Sequence, residues 1–141
     1  MLTWNQQLSV NVIEIDAQHQ DIFTRINRCF ESLDHESDAR SLEDLFGFLE
    51  QYIEKHFADE ERYMEKYQPY HYPDDANHHA AHAAFRRDFE EFRTDLVKGD
   101  VSKLFITEFK SWMTNWWLLH INRTDKGLGE FIRKVILEMP F

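Results

Sequence analysis

The sequence predicts an all-α fold, in which four helices pack up-down-up-down as a bundle with an extended N-terminal arm and a short C-terminal helix. Apolar residues recur every three or four positions in four long stretches, which is the spacing of one helical face. Prolines, glycines and polar residues separate these stretches by short connections. With 141 residues, 43% of them hydrophobic, the chain is expected to form a single domain over residues 1–141.

The N-terminal arm and the first helix differ in their periodicity. Before Asp16, apolar and polar residues alternate loosely as in a strand, but no second strand is predicted that could pair with this segment. We therefore expect an extended arm that lies across the bundle. A helical stripe then runs from His19 to a predicted end near Asp34, and residues 35–40 form a polar linker. The apolar members of this stripe are Ile22, Phe23, Ile26, Cys29, Phe30 and Leu33.

The second helix is predicted to start near Ser41 and to end before Pro69. Ser41 is followed three residues later by Asp44, a combination typical of a helix start, and proline does not continue a helix. The stripe between these two points comprises Leu42, Leu45, Phe46, Leu49, Tyr52, Ile53, His56, Glu60, Tyr63, Met64 and Tyr67.

The third and fourth helices follow a turn region that contains prolines. The third is predicted to close at Gly99, and either Asp100 or Ser102 can cap the fourth. Gly127 and Gly129 are expected to separate the fourth helix from a short last helix. The third stripe comprises His78, His82, Phe85, Phe89, Phe92 and Leu96. The fourth comprises Phe105, Phe109, Trp112, Trp116 and His120, and the last helix carries Phe131, Ile132, Val135, Ile136 and Met139.

Composition argues against several classes of partner. A formal net charge of −10 disfavours binding to nucleic acid or to an anionic membrane surface. The first residues lack the charged and then apolar run of an export signal, and no stretch of about 18 apolar residues occurs, so a cytoplasmic protein is expected. The lone cysteine, Cys29, excludes an intramolecular disulfide and is expected to be buried in its helix.

Five of the eight histidines and two acidic residues fall on the inner faces of the four helices or directly after them. These residues are His19, His56, Glu60, His78, His82, His120 and Asp125. Such side chains are costly in a dry interior, and a buried metal centre would satisfy all of them at once. The remaining histidines are expected at the surface, because His35 lies in a linker, His71 in a turn, and His79 about 100° around its helix from His78.

Two pairs have ligand spacing within one helix. His56 with Glu60, and His78 with His82, are four residues apart, so that each pair projects from one face. Either pair alone is more often part of a solvated surface. Their coincidence with the apolar stripe on every helix favours a shared metal site over several separately satisfied core histidines.

Asp125 does not fit a regular helix. A step of five residues from His120 rotates the side chain by about 140°. The two residues can therefore share a site only if the helix ends, bends or widens to a π-turn between them.

The donor set favours two ions. Seven donors exceed the four of a structural zinc site, and the one cysteine is too few for the usual zinc finger or iron–sulfur cluster. The chain also lacks the HExxH motif of zinc proteases and the Glu-x-x-His pairs of ferritin-like bundles. Carboxylate bridges favour iron, with manganese or zinc as alternatives.

The same residues carry a resemblance to a known family. Its motifs here are Trp4, Ile15-Asp16-Ala17-Gln18-His19, His56-Phe57-Ala58-Asp59-Glu60-Glu61, Tyr72-Pro73 with His78 and His82, and His120-Ile121-Asn122-Arg123-Thr124-Asp125-Lys126. In identity and order they resemble the hemerythrin family, in particular its bacterial single-domain members. The resemblance spans nearly the whole chain. It implies a four-helix bundle with a non-haem di-iron centre that binds O₂ reversibly.

The resemblance also implies a role for each ligand. The three histidines of the coordinatively filled iron would be His78, His82 and His120. The second iron, which keeps a vacant position for O₂, would take His19 and His56. Glu60 and Asp125 would bridge the irons beside a solvent-derived oxo or hydroxo group. The spacing of five between His120 and Asp125 is the spacing of the family.

One position departs from the family pattern. Three residues before His120 the family commonly has an aliphatic residue beside the O₂ pocket, whereas this chain has Trp117. We hypothesise that its indole narrows or reshapes the route to the open iron. The alternative is that Trp117 only packs the end of the bundle.

Three classes of function are compatible with such a site. Reversible O₂ binding for storage, delivery or sensing is favoured. A di-iron enzyme acting on O₂, peroxide or nitric oxide, or oxidising ferrous iron, would need a general acid or a substrate cleft, which the sequence does not identify; no enzymatic activity is therefore expected. The third class is a metal-buffering or structural bundle.

Overall fold

The computed structural model describes residues 1–35, 39–99 and 101–138. Its helices are α1 (Ile13–His35), α2 (Ala39–Lys66), α3 (Asp75–Val97), α4 (Lys103–His120) and α5 (Lys126–Glu138). The described residues contain no strand, and α1 to α4 pack as an antiparallel bundle in which α1 and α3 each contact both α2 and α4. The predicted all-α four-helix bundle is confirmed. No described helix is long and apolar enough to cross a membrane.

Most helix ends follow the predicted signals. α2 ends before the proline, and Gly99 after α3 has a φ of 84°, a left-handed conformation that favours glycine. Ser102 caps α4, because its hydroxyl accepts a hydrogen bond from the backbone N–H of Phe105 at 3.1 Å. α2 begins at Ala39, slightly ahead of the predicted Ser41. The linker residues 36–38, the alternative cap Asp100 and Met139 lie outside the described residues.

The N-terminal arm is less extended than expected. It contains a short 3-10 turn, Gln6–Leu8, and α1 already begins at Ile13, so that the last residues of the predicted arm are helical. The Asp16 carboxylate fixes this arrangement, since it accepts hydrogen bonds from Ser9 Oγ at 2.5 Å and from Val10 N at 2.8 Å. These bonds hold the arm against the first turn of α1.

The two glycines near the end of α4 do not interrupt the helix, contrary to expectation. A π-helical segment, Ile121–Asp125, connects α4 directly to α5, and Gly127 and Gly129 lie inside α5. At Gly129 an added Cβ would lie only 2.0 Å from the carbonyl oxygen of Val10. Glycine is therefore needed there because the arm crosses the helix, and not because the helix ends.

The buried face of α4 also differs from the predicted stripe. Trp112 and Trp116 are only half-buried, whereas Met113 and Trp117 are fully buried. The buried residues of α4 up to Trp117 are spaced by four and therefore lie on one face of the helix. They are Phe105, Phe109, Met113 and Trp117. The Trp117 side chain therefore points into the bundle, where its ring lies beside the rings of His19 and His56.

Candidate metal centre

The seven polar residues predicted on the inner faces are all buried. Each is at most 5% exposed. α1 contributes His19, α2 His56 and Glu60, α3 His78 and His82, the last residue of α4 His120, and the π-helical segment Asp125. Every helix of the bundle therefore supplies at least one donor to the same interior volume, as the sequence predicts.

These donors divide into two groups that share two members. In each group, ligand atoms from all members lie within 4.8 Å of one another. The larger group comprises Glu60, His78, His82, His120 and Asp125. The smaller group comprises His19, His56, Glu60 and Asp125. Both carboxylates belong to both groups, which is the arrangement that two bridged ions require.

The π-helical segment brings Asp125 into the centre. A regular α-helix would turn a residue five positions after His120 away from the bundle interior. The wider π-turn over Ile121–Asp125 removes that mismatch, and Asp125 Oδ1 lies 2.9 Å from His120 Nε2. Of the three possibilities left open by the sequence, widening of the helix is the one adopted.

The ring nitrogens and carboxylate oxygens approach one another closely without forming hydrogen bonds. His19 Nε2 is 3.0 Å from Asp125 Oδ2, and His56 Nε2 is 3.3 Å from Glu60 Oε1. Twelve buried side-chain atoms of the described residues have no hydrogen-bond partner, and ten of them belong to these seven side chains. Lone pairs that converge in this way fit a cation, which would satisfy them together.

The electrostatics of the cluster attract positive charge. Burial and the charge of Asp125 favour protonation of Glu60, but His56 and His78 outweigh them and lower the pKa of Glu60 below its usual value. Burial likewise opposes ionisation of Asp125, yet His120 and the other neighbouring imidazoles hold its pKa well below normal. For His78, burial lowers the pKa, but the two carboxylates together raise it to about 10. In the absence of metal, protons on imidazole thus partly replace the cations.

Gln18 orients one of the imidazoles from outside the centre. Its Oε1 lies 2.6 Å from His56 Nδ1, and its Nε2 donates to Asp59 Oδ2 at 2.8 Å. Asp59 in turn pairs with the exposed Arg62. Because Nδ1 of His56 donates its proton to the Gln18 amide oxygen, Nε2 is left as a free lone pair that faces the centre.

Two imidazoles of α3 are oriented in the same way. His82 Nδ1 lies 3.1 Å from the Glu61 carboxylate, and His78 Nδ1 lies 3.2 Å from the Tyr72 hydroxyl. Both contacts leave Nε2 directed at the carboxylates of the centre. The sequence-based reasoning assigned no role to Gln18, Glu61 or Tyr72, although all three lie within the motifs that carry the family resemblance.

Aromatic rings contact histidines of both donor groups. Phe57 stacks on His82 of the larger group with ring centroids 3.9 Å apart, and the fully buried Trp117 lies 6.3 Å from His19 and 5.9 Å from His56 of the smaller group. Trp117 therefore occupies the side of the centre at which the family resemblance places the open iron. Its role in an O₂ pocket stays a prediction.

The other three histidines lie at the surface, as predicted. His35, His71 and His79 are all exposed. His79 forms ion-pair contacts with the partly exposed Glu61 and Asp75, with His79 Nε2 3.7 Å from Asp75 Oδ2. Adjacent histidines at positions 78 and 79 thus have opposite environments, which provides a matched pair for mutagenesis.

Comparison with known proteins defines the class of this fold and site. Residues 11–132 match the hemerythrin HHE cation binding domain, so the chain belongs to the hemerythrin family. It is 26% identical to the bacteriohemerythrin of Clostridium acetobutylicum, over 89% of this chain and 97% of that protein. It is 29% identical to the bacteriohemerythrin of Pseudomonas aeruginosa, over 98% of this chain and 86% of that protein. The protein is therefore a hemerythrin-like cation-binding domain with a buried cluster of histidine, glutamate and aspartate.

Proposed function

We propose that this protein binds O₂ reversibly at a non-haem di-iron centre, for oxygen storage, delivery or sensing. The observation that carries the proposal is the division of seven donors into a group of five and a group of four that share Glu60 and Asp125. His78, His82 and His120 would complete the binding of one iron. His19 and His56 would hold the second, which has one protein donor fewer and therefore room for a small ligand. Two ferrous ions would supply the two electrons that reversible O₂ binding needs.

The surroundings of the centre favour storage over consumption of O₂. If two ferrous ions were bound, neutral imidazoles with only two carboxylates and one hydroxide would leave the centre with about one net positive charge. The buried, aromatic-lined site keeps bulk water away, so that little solvent must reorganise when charge moves within it. A centre richer in carboxylates would donate electrons more readily and favour cleavage of the O–O bond.

The proposal is tested by metal analysis and absorption spectra of the purified protein. We expect about two irons per chain, and an absorption change of the reduced protein on exposure to air that reverses when O₂ is withdrawn. His78→Ala should abolish both properties, whereas the matched His79→Ala should retain them, because His79 is exposed.

Three results would contradict the proposal in different ways. Stoichiometric manganese or zinc in place of iron would remove the electron source. A spectrum indifferent to O₂ would favour a metal-buffering or structural bundle. Sustained O₂ consumption in the presence of a reductant would favour a di-iron enzyme.

A further inference from the structure

Trp117 carries a buried hydrogen-bond donor that no described residue satisfies. The side chain is 0% exposed and is the largest of the fully buried residues. Its indole Nε1 has no hydrogen-bond partner among the described residues. An indole N–H that is buried usually finds an acceptor, because leaving it unpaired forfeits the hydrogen bond it made with water in the unfolded chain.

The indole lies beside the polar cluster, mainly on the side of the smaller donor group. Its ring contacts both histidines of that group, at centroid distances of 6.3 Å for His19 and 5.9 Å for His56, and one histidine of the larger group, His120, at 6.4 Å. One ring face is occupied, since Phe57 lies nearly parallel to it at 5.9 Å and 22°. The N–H lies in the plane of the indole and therefore does not point at Phe57. An acceptor must approach the ring at its edge.

We propose that Trp117 Nε1–H donates a hydrogen bond to the small ligand bound beside His19 and His56, and thereby favours ligands that carry negative charge. This inference rests on the proposed function, because it requires a metal-bound ligand on that side of the centre. A neutral donor in a dry interior strengthens its hydrogen bond when the acceptor is anionic, and it adds no charge of its own. Trp117 is then a residue that determines ligand preference, and not merely a wall of the pocket.

A hydrogen-bonding role and a purely steric role predict opposite effects of one substitution. Trp117→Phe keeps an aromatic ring but removes the N–H and reduces the side-chain volume. If the indole only restricts space, the smaller ring should leave ligand affinity unchanged or increase it. If the N–H donates to the ligand, the affinity for an anion should fall.

The test is a titration of the iron-loaded protein with azide, followed by absorption spectroscopy. Loss of a hydrogen bond to a charged acceptor should raise the Kd of azide about 10- to 100-fold in Trp117→Phe. Trp4→Phe is the matched control. Its indole Nε1 is also buried without a described partner, but Trp4 lies in the N-terminal arm, beside a surface cavity lined by Asn11 and Arg133. Its azide Kd should equal that of the wild type.

A second measurement replaces the hydrogen of the proposed bond with deuterium. The infrared antisymmetric stretch of bound azide should shift when the wild-type protein is transferred from H₂O to D₂O, and this shift should be absent in Trp117→Phe. An unchanged or lower Kd in Trp117→Phe, or a stretch indifferent to D₂O in the wild type, would overturn the inference.

Failure of this inference is distinguishable from failure of the proposed function. Wild-type protein that lacks two irons or does not respond reversibly to O₂ would refute the proposed function itself. Wild-type protein that passes both tests, while Trp117→Phe binds azide normally, would refute only the hydrogen bond.

Discussion

Removal of the metal should destabilise this bundle by a large part of its free energy of unfolding. The seven side chains of the centre contain ten buried atoms without a hydrogen-bond partner among the described residues. Bound cations would satisfy these atoms, and they would do so only in the folded protein, since the donors come from four different helices. After removal of the metal, the imidazoles and carboxylates face one another with only protons as compensation.

The magnitude can be worked from these atoms. A buried polar atom without a partner costs about 1–3 kcal/mol. Protonation of His78, whose pKa is raised to about 10, compensates part of the cluster at neutral pH. We therefore assign the lower cost, about 1 kcal/mol per atom, to about half of the ten unpartnered atoms. The total of about 5 kcal/mol is a large share of the free energy of unfolding of a typical domain, which is about 5–15 kcal/mol. At about 4 °C per kcal/mol, the Tm should fall by about 20 °C.

The assay is thermal unfolding followed by circular dichroism. The iron-loaded protein is compared with protein stripped by a ferrous chelator under reducing conditions, and with stripped protein to which iron has been returned. Reloading should restore the original Tm, which separates metal loss from damage. Midpoints that agree within about 2 °C would refute the reasoning, since the centre would then be compensated without metal.

Three further predictions concern single substitutions. Trp117→Leu should increase the rates of O₂ dissociation and autoxidation by opening the side of the centre near His19 and His56; unchanged rates would show that the indole only packs the bundle. Gln18→Leu should weaken iron binding about 10- to 100-fold by releasing the His56 ring, whereas Gln20→Leu, at an exposed position of the same helix, should leave iron binding unchanged in a metal titration. Gly129→Ala should destabilise the protein by about 1–3 kcal/mol, because its Cβ would meet the arm at 2.0 Å. Gly127→Ala has free space and should stabilise by up to about 1 kcal/mol in the same denaturant titration.

The bundle and the convergence of its donors could be predicted because both follow from one periodicity. Apolar residues and histidines share a spacing of three and four along α1 to α3, so that the face that packs is also the face that carries donors. Asp125 lay outside this rule. The requirement that it share a site with His120 left three local geometries open, of which the π-helical segment is the one that occurs.

Features that depend on contacts between distant segments could not be predicted. Gly129 was interpreted as a helix end, because nothing in the local sequence reveals that Val10 passes over it. The prediction that Trp112 and Trp116 lie on the inner face of α4 was wrong, because aromatic residues surround much of that helix and periodicity alone does not choose between Trp116 and Trp117. Gln18 is polar and adjacent to a ligand, and only the approach of α2 gives it His56 as a partner.

We propose that the interior of this bundle holds two bridged cations. Anomalous diffraction from crystals of the iron-loaded protein, measured on both sides of the iron absorption edge, would locate such ions. We predict two iron peaks, one beside His78, His82 and His120 and the other beside His19 and His56, with Glu60 and Asp125 contacting both. A single peak, no peak, or either carboxylate turned out to solvent would contradict the claim.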